Sequence, residues 1–284
     1  LEQDVRVGQN VYRTNCSGLY EYYKKIKKNR IDICNVCGQK AKLTWEHVPP
    51  KSCGNYGNVK VNRIFKLDKI QEKLDSQNGV KYRTLCENCN NNILGANADI
   101  AFAELYNATK DFIENAKNLT ETKTIKINLV QVLKCLFGKF LAMGETFQED
   151  KISNAMREFI LKDKLDKNLH VYFRIYPYKT MIHARSYVSK QVSGIKYNTD
   201  GLISILYFYP LAFVISSDNE DIKLNDLTKY IDFQNPEIDI QLSLLSAYNP
   251  ITRTLLPYNW LLNADDGYII LSGENFNDII ARKV

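Results

Sequence analysis

A chain of 284 residues with 45% apolar and 25% charged side chains can bury a sizeable core, in one large unit or two, and is not disordered throughout. Its formal net charge of +6, with a pI near 8.8, leans mildly toward anionic partners. Seven cysteines is an odd number in a chain too long for a small disulfide scaffold, so thiols of a reducing compartment are expected.

The first stretch, Leu1-Glu2-Gln3-Asp4, is polar and acidic and does not read as a signal peptide. The most apolar run, Leu202 to Ile215, has 14 residues and is too short to span a bilayer. The expectation is a soluble, cytoplasmic protein with no membrane partner. Within residues 1–33, Tyr20 to Arg30 sets five basic residues among three tyrosines and predicts a helix. Leu19, Tyr23 and Ile26 would pack it, while Lys24 and Lys27 would face a nucleic-acid backbone.

Cys34-Asn35-Val36-Cys37 and Cys86-Glu87-Asn88-Cys89 are two Cys-x-x-Cys knuckles with 48 residues between them. Each knuckle offers two thiolates at one tight turn, and two knuckles supply the four sulfurs of a tetrahedral zinc. Such a zinc is coordinatively closed and holds structure rather than doing chemistry. Cys16, Cys53 and Cys135 are read as free thiols.

Between the knuckles, Leu43-Thr44-Trp45 predicts a short strand running into Glu46-His47, after which Pro49 and Pro50 force an extended exit. Ser52 to Asn58 reads as a loop, Ile64 to Leu74 as an amphipathic helix and Tyr82 to Leu85 as a strand. A helix is expected from Asn90, with Ile100, Ala103, Leu105, Phe112 and Ala116 at helical spacing. Two more helices are predicted over Ile127–Phe147, with Val130, Leu133, Phe137, Phe140 and Leu141 on one stripe, and over Lys151–Leu165.

From Leu169 the period changes to two. Strands are predicted at Val171–Ile175, Met181–Val188, Leu202–Tyr209, Phe213–Ser216, Ile238–Leu244 and Tyr268–Leu271. Asp200-Gly201 and Asp266-Gly267 suit tight turns between them. His170 and His183 fall in strand-like segments and read as structural or surface histidines.

The ordered set of Cys-x-x-Cys, Glu46-His47 and Cys89-Asn90 resembles the HNH endonucleases of the ββα-metal type, over about residues 31–105. Together with the periodicities along the chain, this makes an α+β fold the expectation. Residues 1–33 would form a basic, aromatic helical segment, 34–118 a zinc-stapled nuclease module, 119–168 a helical connector and 169–284 a β-rich domain of unknown role. The resemblance implies metal-dependent hydrolysis of phosphodiester bonds, in DNA before RNA. His47 would be the general base, and Glu46 and Asn90 would hold a catalytic divalent ion, most simply Mg²⁺. Lys51 would meet a neighbouring phosphate. Asn91, Asn92 or Asp99 are other candidates for the ion, and Asn62, Asn78 or a backbone carbonyl for orienting the imidazole. The alternative is a zinc-dependent nucleic-acid-binding protein with a degenerate, non-catalytic module. The C-terminal half, without a catalytic motif, would support a homodimer or a regulatory partner.

Overall fold

The computed structural model describes residues 5–7, 10–12, 31–65, 70–144, 146–178, 181–188, 202–217, 225–247, 268–273 and 277–283. The expected helix at Tyr20–Arg30 with Lys24 and Lys27, Cys16, and the turns at 200–201 and 266–267 lie outside these residues. Helices and strands are mixed, as expected of an α+β chain. Among the described residues no helix is long and apolar enough to cross a membrane.

Two short strands, β1 (Val5–Val7) and β2 (Asn10–Tyr12), pair antiparallel. β3 (Ile31–Ile33) leads into the first knuckle and pairs with β4 (Lys40–His47). The expected helix over Ile64–Leu74 is instead a hairpin of β5 (Asn58–Phe65) and β6 (Ile70–Gln77). β7 (Lys81–Cys86) returns antiparallel to β4 and completes a three-stranded sheet, β3-β4-β7. The second knuckle then opens a π-helical turn over Asn88–Leu94, followed by α1 (Ala98–Asn115).

A strand that sequence periodicity hid, β8 (Thr122–Asn128), precedes α2 (Leu129–Met143). Its Ile125 and Ile127 are buried at period two, and the Asn128 side chain accepts the Gln131 N–H at 3.0 Å, so the helix starts two residues later than expected. α2 does not bury one stripe. Every residue but Gln131 and Lys134 is buried, which makes it the central helix of the core. At about 1.5–3 kcal/mol for each large apolar side chain withdrawn from water, such a helix contributes heavily to folding. Lys139 is the exception to its chemistry, a charged side chain with no exposed surface.

α3 (Lys151–Lys162) packs on α2 with Phe159 edge-on to Phe137, ring centroids 5.0 Å apart. The strands expected after Leu169 follow as β9 (His170–Ile175), β10 (Met181–Val188), β11 (Leu202–Phe208) and β12 (Leu211–Ser216). β13 (Asn225–Asp226) is followed by β14 (Glu237–Ser243), α4 (Leu244–Ala247), β15 (Tyr268–Gly273) and β16 (Asn277–Lys283). Among the described residues, nine strands form one sheet in the order β13-β9-β12-β11-β10-β15-β16-β5-β6, antiparallel except for the parallel β10–β15 pair. β14 pairs separately with β8.

Helix α1 lies against this sheet, with Phe102 5.6 Å from Phe213 and 6.1 Å from Phe208 between ring centroids. A single contiguous buried cluster draws on residues from 34–118, 119–168 and 169–244. The knuckles, the central helix and the large sheet therefore share one core, and the strand that carries Glu46 and His47 is clamped between the cysteine corner and α2.

Candidate active site and metal centre

The sulfurs of Cys34, Cys37, Cys86 and Cys89 all lie within 4.8 Å of one another, with Cys37 Sγ 3.9 Å from Cys86 Sγ. Zinc–sulfur bonds of about 2.3 Å place tetrahedral sulfurs about 3.8 Å apart, so the group can hold an ion such as zinc. Local geometry explains the convergence. After Cys34 the chain folds back with the Gly38 N–H donating to the Cys34 carbonyl at 2.9 Å, and the Cys86 N–H donates to Cys34 Sγ at 3.3 Å. A hydrogen bond from Cys89 leads the contacts that pull the Cys34 thiol down to about 4, against burial. The same contact, with burial, pushes Cys89 up.

The corner is tied to the central helix. Asn35 Nδ2 donates to the Leu141 carbonyl at 2.9 Å and the Gly144 carbonyl at 2.8 Å, and Thr84 Oγ1 donates to Ala142 at 2.7 Å. Arg157 of α3 donates through Nε to the Asn35 carbonyl at 2.8 Å. The bonds from Asn35 and Thr84 use carbonyls at the C-terminal end of α2 and its cap.

His47 ends β4, half-buried, with Nε2 3.0 Å from the Asn78 carbonyl. A carbonyl only accepts, so Nε2 carries the proton and Nδ1 keeps a lone pair. Burial first, then the charges of Lys81, Lys51 and Lys139, lower the imidazole pKa against the Asn78 bond, so the ring is neutral near pH 7. Of the candidates for orienting it, the backbone carbonyl of 78 is the group in contact.

That carbonyl is placed by a residue the sequence did not single out. Buried Asn55 donates to the Pro49 carbonyl at 2.7 Å and the Val80 carbonyl at 2.8 Å, and accepts the Val80 N–H at 2.7 Å. Gly79, at φ +71°, completes the turn; a Cβ there would lie 2.4 Å from Asn55 backbone and side-chain oxygens.

Glu46 faces the other way from His47, as neighbours on a strand do. It is buried, and its carboxylate meets the Lys139 ammonium. Lys139 also bonds Asp99 Oδ1 at 2.7 Å, to which Cys135 Sγ donates at 3.2 Å. Burial raises the Glu46 pKa, while Lys139 and a hydrogen bond from Asn90 oppose the rise. Burial would strip Lys139 of its proton, but the acidic groups around it reverse the direction and keep it charged.

Asn90 is buried, whereas Asn91 and Asn92 are exposed. Its Nδ2 donates to Thr44 Oγ1 at 3.0 Å and the Trp45 carbonyl at 3.2 Å, leaving Oδ1 as its acceptor atom. Of the three consecutive asparagines it is therefore the one against β4. Lys51 lies exposed in a single 3-10 turn, with its charge felt at His47. Lys139 escaped the sequence reading, although its signal was visible as a lone cation within an apolar helix. Cys53 and Cys135 are buried and form no disulfide; burial first pushes Cys53 up to about 12 and raises Cys135 as well, so both stay as thiols.

Among the described residues the four cysteines are the one group of three or more metal-ligating His, Cys, Asp or Glu side chains. Fold and site thus define an α+β chain with a four-sulfur group suited to a metal ion. No family model, curated protein or solved structure matches it.

Proposed function

We propose that the protein is an HNH-like endonuclease that hydrolyses phosphodiester bonds in nucleic acid, DNA before RNA, with His47 as general base and zinc on the four cysteines. The observation that supports it is the state of His47: a neutral imidazole, locked through Nε2 on the Asn78 carbonyl, beside Lys51 and Lys81. Nδ1 takes a proton from water, and the hydroxide attacks the phosphorus of a phosphodiester. Lys51 and Lys81 attract and orient the phosphate chain.

The resemblance further implies a divalent ion held by Glu46 and Asn90. Their carboxylate and amide oxygens are the hard donors that Mg²⁺ takes, and two carboxylates, Glu46 and Asp99, already converge on one cationic nitrogen. Such an ion would supply charge neutralisation to a bound phosphate, but Glu46 turns away from His47 and its carboxylate is taken by Lys139, so no step at the base is routed through it. Lys139 supplies positive charge at Glu46.

The test is plasmid cleavage in Mg²⁺ by the wild type and His47→Ala, with zinc content measured on both. Cutting by the wild type, slowed at least about 100-fold in the variant, is the expected result. Equal cutting by both, or none by either on any nucleic acid, overturns the proposal.

The ion pair of Lys139 with Glu46 favours a second reading, in which the module binds nucleic acid without cutting it. That reading predicts salt-sensitive binding that removal of Mg²⁺ leaves intact, with no products at any pH.

A further inference from the structure

On the strand pair that holds His47, Trp45 keeps 44% of its surface exposed although it sits two residues from the imidazole. Two cations stand over its ring, Lys81 Nζ at 5.3 Å and the Arg83 guanidinium carbon at 5.4 Å from the centroid. Arg83 is anchored by its Nε donating to the Leu43 carbonyl at 3.2 Å, and Lys81 stands directly opposite His47 in the β4–β7 ladder. Behind Trp45, its own carbonyl accepts from Asn90, so the backbone carrying the ring is fixed.

Alternation along β4 puts Trp45 and His47 on the outward side, with Glu46 turned inward between them. Their Cα atoms are about 6.6 Å apart at the usual strand rise of about 3.3 Å per residue. An exposed indole with cations over its ring brings a nucleobase and its phosphates to one place, the base stacking on the exposed part of the indole and the phosphates meeting the basic side chains. Bases inside a duplex are stacked on one another and offer no face to it.

We propose that this side of β4 and β7 binds an unpaired base on Trp45, so that the substrate is single-stranded or locally opened DNA, delivered with its phosphate beside His47. The inference rests on the nuclease reading for its meaning, but binding is measured without cutting and can fail separately.

In the full chain carrying His47→Ala, fluorescence anisotropy of a labelled oligothymidylate is compared with a duplex of the same length at fixed salt. Single strands should bind at least about tenfold more tightly than duplex. Adding Trp45→Ala should weaken single-strand binding by about 5- to 150-fold and leave duplex binding unchanged, with Trp45→Phe between the two. Circular dichroism melts confirm that each variant is folded. Tighter duplex binding, or single-strand binding indifferent to both Trp45 variants, overturns the inference while leaving the cleavage result to stand or fall alone.

Discussion

Two groups of acidic side chains lie close to the central helix, and the chain treats them differently. At the cysteine corner the contacts that set Cys34 come from other cysteines and from backbone N–H groups. At the carboxylate corner Glu46 and Asp99 share the ammonium of Lys139, delivered from the central helix. The first corner is built to take its cation from solution. The second brings one of its own. The contrast separates a sulfur group that can hold a metal ion from a carboxylate pair that the chain neutralises itself.

The largest effect expected tests the first corner. Removing zinc with a strong chelator, or Cys86→Ser, should cost on the order of 10 kcal/mol, because ion binding and folding of such a site are coupled. Thermal melts with zinc release followed by a colorimetric chelator measure it, and an unchanged melt with no zinc released would show that the sulfurs hold no ion.

Next in size, Lys139→Met should destabilise by about 3–5 kcal/mol, since it leaves two carboxylates without their buried counter-charge. Glu46→Gln in the same chain should restore part of that loss. Urea unfolding reads both; a loss under about 1 kcal/mol would mean that the lysine is no structural counter-ion.

A smaller effect sharpens how the strand pair joins the large sheet. Tyr82, opposite Glu46 on β7, shares a hydrogen bond of 3.2 Å between its hydroxyl and His183 Nδ1. Burial lowers His183 from 6.5 to about 3, so its contribution to stability is fully present above pH 6.5 and is lost as pH falls. The expected loss is about 1.4 kcal/mol for each pH unit between 6 and 4. Unfolding measured at pH 7, 6 and 5 checks this, and His183→Phe should flatten the dependence; an equally steep acid loss in the variant would assign it to other groups.

The smallest effect is kinetic. Since His47 must be neutral to act, cutting should rise with pH to a plateau, through a midpoint below 6.5. Lys81→Gln removes one of the charges that depress the imidazole and should move that midpoint upward in single-turnover cleavage. A midpoint that stays in place would separate Lys81 from the base.

Much of this arrangement was legible in residue spacing. The four cysteines announced their convergence, and the strands after Leu169 and the helices from Ala98 and Lys151 carried clear periods. The hairpin of β5 and β6 was misread because Ile64, Leu67 and Leu74 recur at helix-like intervals. What makes it sheet is pairing with β16, more than 200 residues away in sequence, which no local pattern encodes. β8 was lost by merging its alternation into the stripe of α2, whose start is set by the Asn128 cap. The neighbours of Glu46 were beyond reach for a related reason: Lys139 is 93 residues downstream and meets it only through tertiary packing. Asn55 was passed over because its contacts are all to main-chain groups, two of them at Val80, 25 residues downstream.

The grip on His47 comes from a peptide oxygen rather than from a side chain. Position 78 can therefore change identity without disturbing the imidazole, so a mutational scan would record it as tolerant. Intolerance would surface one residue later, at the glycine, and across the loop at Asn55. Anyone ranking sites by sensitivity to replacement would map the scaffold of the base and miss the atom that holds it.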